Sequence, residues 1–376
     1  MAVLCSHLMA VASAAKSCLA SYDLEAAAAS FRNDGYAVLP NFADAAEVGA
    51  MRQAMEEMVR AWWRKERDRG DSAGAVFRTD ENQTAAQAMS RYFFDSANRV
   101  HFFREVEDPA RAIVASATAD DSPPALNKVG HGLHLDVSSP FGAYSRSARV
   151  ADAARRVAGL RAPVLPQSMY IFKSAHVGGS VTSHQDGAFL YTRPQQTVVG
   201  FWLALHDAHE ENGCLWARPG SHLEPLRRRF VRSSDTDGEV VMKFVNASAT
   251  DDEAYLSAHL LGGERHGGAD ATTHTLESGE AARLWEGSWP PANVTADADS
   301  FAELRAHGFV PLPVRAGDLV IFPGTLDHLS LPNHSPHDRH TFQLHMVEGA
   351  SAGTAWADEN WLQYDPDGGS VSFARI

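Results

Sequence analysis

Three side chains have the types and the placing to share one metal ion. His184 and Asp186 stand two residues apart in Val181-Thr-Ser-His-Gln-Asp-Gly-Ala-Phe-Leu-Tyr191, and His328 follows far downstream in Phe322-Pro-Gly-Thr-Leu-Asp-His-Leu-Ser330. Two imidazoles and one carboxylate can occupy one face of an octahedral ion and leave three positions open, as in non-haem Fe(II) oxygenases. The His-x-Asp spacing suits a strand, where side chains at i and i+2 leave the same side of the sheet. Such a pair is common by chance, so the weight lies on what accompanies it. Arg339 lies eleven residues beyond His328, past an Asn333-His-Ser-Pro-His-Asp338 turn. With one strand ending at His328 and another beginning near Arg339, the two are expected to pair as a hairpin-like unit. An inward guanidinium there can fork onto a carboxylate. The co-substrate 2-oxoglutarate carries such a distal carboxylate, and its other end chelates iron.

Strand signals dominate the second half of the chain. Ser168-Met-Tyr-Ile-Phe-Lys173 alternates, and Thr197–Leu205, Asp318–Phe322 and His340–Val347 are apolar runs between turns such as Glu211-Asn-Gly and Arg218-Pro-Gly-Ser. Short strands at this spacing predict a mainly β chain with flanking α-helices and a double-stranded β-helix (jelly-roll, cupin-like) core, the metal ligands meeting at its mouth. The helices come early. Ser21–Asn33 is predicted helical with Gly35 just past its end, followed by a short strand over Tyr36–Phe42. A second helix opens at Asp44 with Glu47 three residues on, as in a capping box. Val48, Met51, Met55, Met58, Val59 and Trp62 recur at helical spacing as a core face, and the charged run Arg64–Arg69 reads as its solvated end. The stretch from Ser233 to Ser300 breaks the strand rhythm and is rich in Asp, Glu, Gly and Ala. An insertion or lid at about 233–300 is expected; Trp285 and Trp289 lie inside it, and either anchoring it to the body or lining a lid over the substrate suits them. The whole reads as one domain over 21–376, preceded by an extension over 1–20.

The segments Gln167-Ser-Met-Tyr-Ile-Phe-Lys, His184-Gln-Asp-Gly-Ala-Phe-Leu-Tyr-Thr and Glu211-Asn-Gly-Cys-Leu-Trp-Ala-Arg-Pro-Gly-Ser-His222 resemble the phytanoyl-CoA dioxygenase (PhyH) family. The resemblance runs, with breaks, from about Phe31 to about Gln363. It implies iron ligands at His184, Asp186 and His328. It implies 2-oxoglutarate contacts at Lys128, Met169, Gln185, Trp202, Ser330 and Arg339. The activity implied is that of an Fe(II)- and 2-oxoglutarate-dependent dioxygenase. Such an enzyme consumes O2, converts 2-oxoglutarate to succinate and CO2, and hydroxylates a small organic or acyl substrate. Halogenases of this family carry Ala or Gly in place of the carboxylate ligand, so Asp186 favours hydroxylation.

Composition agrees with such an enzyme. The chain has 376 residues, 44% of them hydrophobic, enough for a substantial core. Its formal net charge of −14 argues against nucleic acid or an anionic membrane as a main partner, and points to a small-molecule substrate. No apolar run approaches the roughly 20 residues of a membrane span. Three cysteines, Cys5, Cys18 and Cys214, cannot make a disulfide framework, which suits a reducing compartment; Cys214 reads as a small core residue. Met1–Ala20 lacks the basic start of a signal peptide, so a cytoplasmic chain with a short tail is expected.

Plainer readings stand beside these. With 18 histidines in the chain, most must be structural. The spacing of His131 and His134 is a weak metal signal, His222 reads as holding a turn, and His334, His337 and His340 as loop groups around Arg339. Trp202 also suits a core aromatic, Ser330 turn chemistry, and Lys128 and Met169 ordinary packing. Arg227-Arg-Arg229 with Arg232 would meet the phosphates of a CoA thioester, and equally suits an exposed loop. Two other function classes remain: a non-catalytic 2-oxoglutarate or metal-binding module, and a cupin-like metalloenzyme using another metal. Arg339 counts against the second.

Overall fold

The computed structural model of the chain describes residues 22–69, 75–76, 91–105, 122–234, 240–247, 294–364 and 373–376. Six α-helices lie in these stretches: α1 Leu24–Asn33, α2 Ala45–Arg69, α3 Arg91–Asp95, α4 Pro140–Ser145, α5 Ala148–Arg156 and α6 Ala298–Ala306. The strands are β1 Ala37–Leu39, β2 Ala75–Val76, β3 Val100–Arg104, β4 Leu126–His131, β5 Pro163–Ile171, β6 Val181–His184, β7 Thr192–Arg193, β8 Val199–Ala204 and β9 Leu215–Ala217. They continue with β10 Arg228–Ser234, β11 Val240–Asn246, β12 Val310–Leu312, β13 Leu319–Pro323, β14 His328–Ser330, β15 Thr341–Glu348, β16 Ala355–Trp356 and β17 Ala374–Arg375. None of the described helices is long and apolar enough to cross a membrane.

Local chemistry accounts for the early helices. Asp23 caps α1 by accepting from the Ala26 N–H at 2.9 Å. Gly35 then turns the chain at φ 87°, where a Cβ would lie 2.5 Å from His222 Nδ1. The capping box at α2 forms as expected. Asp44 Oδ1 accepts from the Glu47 N–H at 2.9 Å, and Glu47 Oε2 accepts from the Asp44 N–H at 3.0 Å. Val48, Met51, Met55 and Val59 are buried on one face of α2. Trp62, a partly buried member of the same stripe, stacks on Phe102 at 4.7 Å.

Two sheets face each other. The large sheet runs β1-β13-β8-β15-β5-β4-β3-β2, with β17 beside β5, and the small one runs β12-β9-β14-β6. Alternation along each strand gives the large sheet two apolar faces. Val199, Phe201 and Leu203 of β8 and Phe342, Leu344 and Met346 of β15 pack with residues of α1, α2, α4 and α5. Trp202, Val320 and Phe322 point the other way and join Leu215, Trp216 and Leu329 of the small sheet. Facing antiparallel sheets with helices outside make the mainly β, jelly-roll architecture expected from the sequence.

Three expectations need correction. First, the strands flanking the 331–340 turn do not pair with each other. β14 lies between β6 and β9 in the small sheet, whereas β15 lies between β5 and β8 in the large one. The turn carries the chain across, pinned by Asn333 Nδ2 donating to Lys173 O at 2.8 Å and by the Arg339 N–H donating to the same carbonyl at 3.0 Å. Second, the 233–300 stretch does not break the regular structure throughout. It opens within a β10–β11 hairpin, Phe230 opposite Phe244, and closes in α6. Residues 248–293, with Trp285 and Trp289, lie outside the described residues, as does the 1–20 extension.

Third, the arginine cluster is not an exposed loop. Arg228, Arg229 and Arg232 belong to β10, and Arg227 precedes it. Arg227 Nη2 reaches Asp327 Oδ2 at 2.6 Å, with Arg218 Nε at 3.3 Å from the same oxygen. Ser183 Oγ donates to Asp327 Oδ1 at 2.6 Å. Arg232 donates to the Trp361 carbonyl, and Arg229 lies 3.9 Å over the Tyr191 ring. The buried Asp327 carboxylate, immediately before His328, demands a cation, which Arg227 supplies together with Arg218; Arg229 and Arg232 are held instead by Tyr191 and the Trp361 carbonyl.

Two predictions follow from this packing. Met51→Ala should destabilise the fold by about 2–5 kcal/mol, while Arg60→Ala on the exposed face of α2 should stay within about 0.5 kcal/mol; urea unfolding midpoints would tell them apart. For Asp327, burial works to raise the carboxyl, but Arg227, Arg218 and the Ser183 hydroxyl outweigh it and hold the group below the usual carboxylate range. A depressed folded pKa contributes stability that is full above the unfolded value near ~3.9 and is lost as pH falls through the folded value. Asp327→Asn should therefore flatten the acid limb of the stability curve below about pH 4. Asp327→Ala, which leaves buried guanidinium groups unpaired, should cost about 3–5 kcal/mol at neutral pH.

Candidate metal centre

β6 ends at His184. Gln185 keeps extended dihedrals, φ −113° and ψ 126°, and Asp186 starts a 3-10 turn through Ala188. The pair is therefore not within one strand, yet the same-side relation survives because Gln185 continues the strand conformation. His328, at the start of β14, is the direct cross-strand partner of His184. His184 Nε2 lies 3.5 Å from Asp186 Oδ1, and His328 Nε2 lies 3.7 Å from the same oxygen. The two rings are 4.2 Å apart between centroids, and the three donor atoms all lie within 4.8 Å of one another. Adjacent octahedral ligands with bonds near ~2.1 Å sit roughly 3 Å apart. A small inward movement closes these three on an ion. No second such group of His, Cys, Asp or Glu occurs among the described residues.

The backbone selects the tautomers. His184 Nδ1 meets Thr182 O at 2.7 Å, and His328 Nδ1 meets Leu326 O at 3.0 Å. A carbonyl only accepts, so each Nδ1 carries a proton, and the Nε2 lone pair of the neutral ring is aimed at the metal position. Burial would raise the Asp186 carboxyl, but His345, His328 and His184 together hold it well below its ordinary value. Burial and the neighbouring His184 push His328 down to about 4. For His184, burial is outweighed by Asp186 and its pKa is raised. A carboxylate with two imidazoles is a donor set for a divalent transition ion.

His345 was not singled out from sequence. Its Nε2 lies 2.9 Å from Asp186 Oδ2, and its Nδ1 lies 3.0 Å from Gln167 Nε2. The signal was period two: counting from Arg339, residues 343 and 345 alternate with the core residues 342, 344 and 346. Gly200 of β8 passes beneath the site. A Cβ there would meet the Phe322 ring at 2.7 Å and Asp186 Oδ2 at 3.1 Å.

The triad opens on a cavity of about 190 Å³. Lys128, Met169, Trp202, Ser330 and Arg339 all line it. Arg339 is 2% exposed, and its Nε and Nη1 have no hydrogen-bond partner among the described residues. Its guanidinium carbon sits 5.3 Å from the Trp202 ring, and burial lowers its pKa to about 10. Burial also pushes Lys128 down to about 7; its Nζ is 5.2 Å from the Phe103 ring centroid. Gln185 is the exception among the residues expected here. Its side chain turns away, Nε2 donating to Thr325 O at 2.9 Å and Oε1 accepting from the Arg227 N–H at 3.1 Å. Flanked by two ligands that face the cavity, it must point to the opposite side of the extended segment. His131 lines the cavity while His134 is held by Ser168 Oγ at 2.9 Å, so the two form no metal pair. Phe93, Phe189, Phe230, Phe244 and Trp361 wall the cavity, with the Arg228 guanidinium carbon 3.7 Å over Phe244.

The chain is similar to known proteins over most of its length. Residues 31–341 match the family Phytanoyl-CoA dioxygenase (PhyH). Phytanoyl-CoA dioxygenase domain-containing protein 1 of Mus musculus is 33% identical over 343 residues, covering 90% of this chain and 94% of that protein. Phytanoyl-CoA dioxygenase 1 of Oryza sativa subsp. japonica is 34% identical over 339 residues, covering 89% and 91%. Among solved structures, AviO1 from Streptomyces viridochromogenes Tue57 superposes with a TM-score of 0.47 at 20% identity, over 87% of this chain and 96% of that one. By sequence match across most of its length, the chain belongs to the phytanoyl-CoA dioxygenase family.

Proposed function

We propose that the protein is an Fe(II)- and 2-oxoglutarate-dependent dioxygenase that hydroxylates a small molecule. The observation that carries this reading is the pairing of a two-histidine, one-carboxylate centre with a buried, incompletely partnered guanidinium on the same cavity. A buried cation with free N–H groups is costly until an anion meets it. A dicarboxylate with a chelating 2-oxo acid at its other end satisfies both. His184, Asp186 and His328 would hold the iron. Arg339 and Ser330 would take the distal carboxylate, with Trp202, Met169 and Lys128 shaping the pocket between. Bound together, iron and 2-oxoglutarate supply O2 activation, with 2-oxoglutarate going to succinate and CO2 and one oxygen atom to a substrate C–H bond.

The protein's own groups do the positioning. The Thr182 and Leu326 carbonyls keep both imidazoles facing inward. Trp202 covers one side of the Arg339 guanidinium. Lys128, pushed down to about 7 by burial, regains its charge beside an anion. The aromatic walls exclude water from the reacting bond.

An anaerobic titration of Fe(II) and 2-oxoglutarate tests this. A weak charge-transfer band near about 500 nm is expected on formation of the chelate at a facial-triad iron. Arg339→Leu should weaken 2-oxoglutarate binding by roughly 10–150-fold, the loss of about 1.5–3 kcal/mol from a hydrogen-bonded charge. Asp186→Ala should stop succinate formation in air. A wild-type protein that shows no band and binds 2-oxoglutarate no better than Arg339→Leu would overturn the proposal. A band without any succinate in air would indicate a binding module.

A further inference from the structure

We infer that His345 is a positioning residue that keeps Asp186 a one-oxygen ligand, and that Gln167 fixes the ring tautomer that lets it do so. The inference rests on the metal-centre reading above. The two oxygens of Asp186 face different ways. Oδ1 is turned to His184 Nε2 and His328 Nε2, at 3.5 and 3.7 Å, and Oδ2 is turned to His345 Nε2, at 2.9 Å. An ionised carboxylate only accepts, so His345 Nε2 carries the proton. In the neutral ring Nδ1 is then an acceptor, and the Gln167 amide N–H donates to it at 3.0 Å.

The sheet register makes this arrangement rigid. His345 of β15 is the direct cross-strand partner of Gln167 on β5 and of Gly200 on β8. The three residues form one row across the centre of the large sheet. His345 and Gln167 are both buried. Gly200 supplies room instead of a contact, since a Cβ there would lie 3.1 Å from Asp186 Oδ2. Donor, relay and gap stand side by side on three paired strands.

The consequence concerns the number of open positions. A carboxylate can bind a metal through one oxygen or two. A three-ligand centre leaves three positions, of which a chelating 2-oxo acid takes two and O2 needs the last. An Asp186 free to swing both oxygens inward would occupy that last position. The hydrogen bond from His345 holds Oδ2 away from the metal, and groups of this kind tune metal sites without touching the ion.

The test compares full-length wild type with His345→Leu, His345→Gln and Gln167→Leu. Three readouts are Co(II) affinity, the 2-oxoglutarate charge-transfer band with Fe(II), and nitric oxide binding to the anaerobic Fe(II)·2-oxoglutarate protein by electron paramagnetic resonance. His345→Leu should weaken Co(II) binding by about 10–100-fold. At saturating Fe(II) it should keep the charge-transfer band and lose nitric oxide affinity by about tenfold or more. His345→Gln, which retains an N–H donor, should recover most of both, and Gln167→Leu should shift them in the same direction as His345→Leu. The proposal fails if His345→Leu matches wild type in Co(II) affinity and nitric oxide binding. It also fails if Leu and Gln variants are equally impaired and melt at lower temperature, which would mark a packing role alone. If wild type gives no charge-transfer band, the co-substrate reading falls, and the Co(II) comparison alone then decides for or against His345.

Discussion

Taking the Asp186 carboxylate out of water costs several kcal/mol unless its oxygens are satisfied, and the local structure is arranged around that requirement. One oxygen faces two imidazoles and the other faces a third. The small sheet supplies His184 and His328 as cross-strand partners, and the large sheet supplies His345. The carboxylate is thus the point where the two sheets of the jelly roll meet. β6 has to end at His184 so that Asp186 can turn toward the large sheet, and β8 has to carry glycine at 200 so that it can approach.

Other buried charges follow the same physics to different ends. Asp327 is neutralised by Arg227 and Arg218 and hydrogen-bonded by Ser183, so its role is complete without a ligand. Lys173 donates to the carbonyls of Leu331 and Gly179, at 2.6 and 2.8 Å, and braces the turn that carries the chain from β14 to β15. Arg339 differs because Nε and Nη1 find no partner among the described residues although the residue is as deeply buried. A charge satisfied by its own chain holds the fold together, while a charge left incomplete beside a cavity is set for an incoming group. On that criterion Arg339 belongs with the triad and Asp327 belongs with the scaffold, though both lie near His328 in the chain.

What could be read from the sequence was whatever local spacing encodes. The capping box of Asp44 and Glu47, the Met51–Met55 stripe and the His184, Asp186 and His328 ligand types all rest on short-range rules. What could not be read depends on register between distant strands. His345 is one of 18 histidines; period two counted from Arg339 separates it from His340, and its alignment with Gln167 and Gly200 places it against Asp186. The turn after β14 looks the same from its sequence whether it closes a hairpin or crosses between sheets; the partners of β14 and β15 decide. Gln185 was misplaced for a simpler reason, since a residue between two inward-facing neighbours in extended chain must face outward. The arginine run was misread because its partners lie far along the chain: Asp327, a hundred residues on, for Arg227, and the Trp361 carbonyl for Arg232.

The β10–β11 hairpin shows how one strand serves both ends of the site. Arg228 and Phe230 face the cavity with Phe244 opposite, while Arg229 turns to Tyr191 and Val231 bridges to Asn360 on the other side. Arg227, just before the strand, braces Asp327 beside the ligand His328. Phe230 and Phe244 also pack on Phe189, whose ring lies 6.0 Å from that of His184, so the aromatic wall continues up to the triad. At the opposite end the polar contacts converge on Arg339, whose surroundings are fixed by Trp202 and the Lys173 carbonyl. Under the proposed function the co-substrate would take that rigid polar end and the molecule to be oxidised the apolar wall, because shape is what such a wall discriminates. The histidine–carboxylate triad and the Phe230–Phe244 wall are thus carried by separate strands of a single cavity.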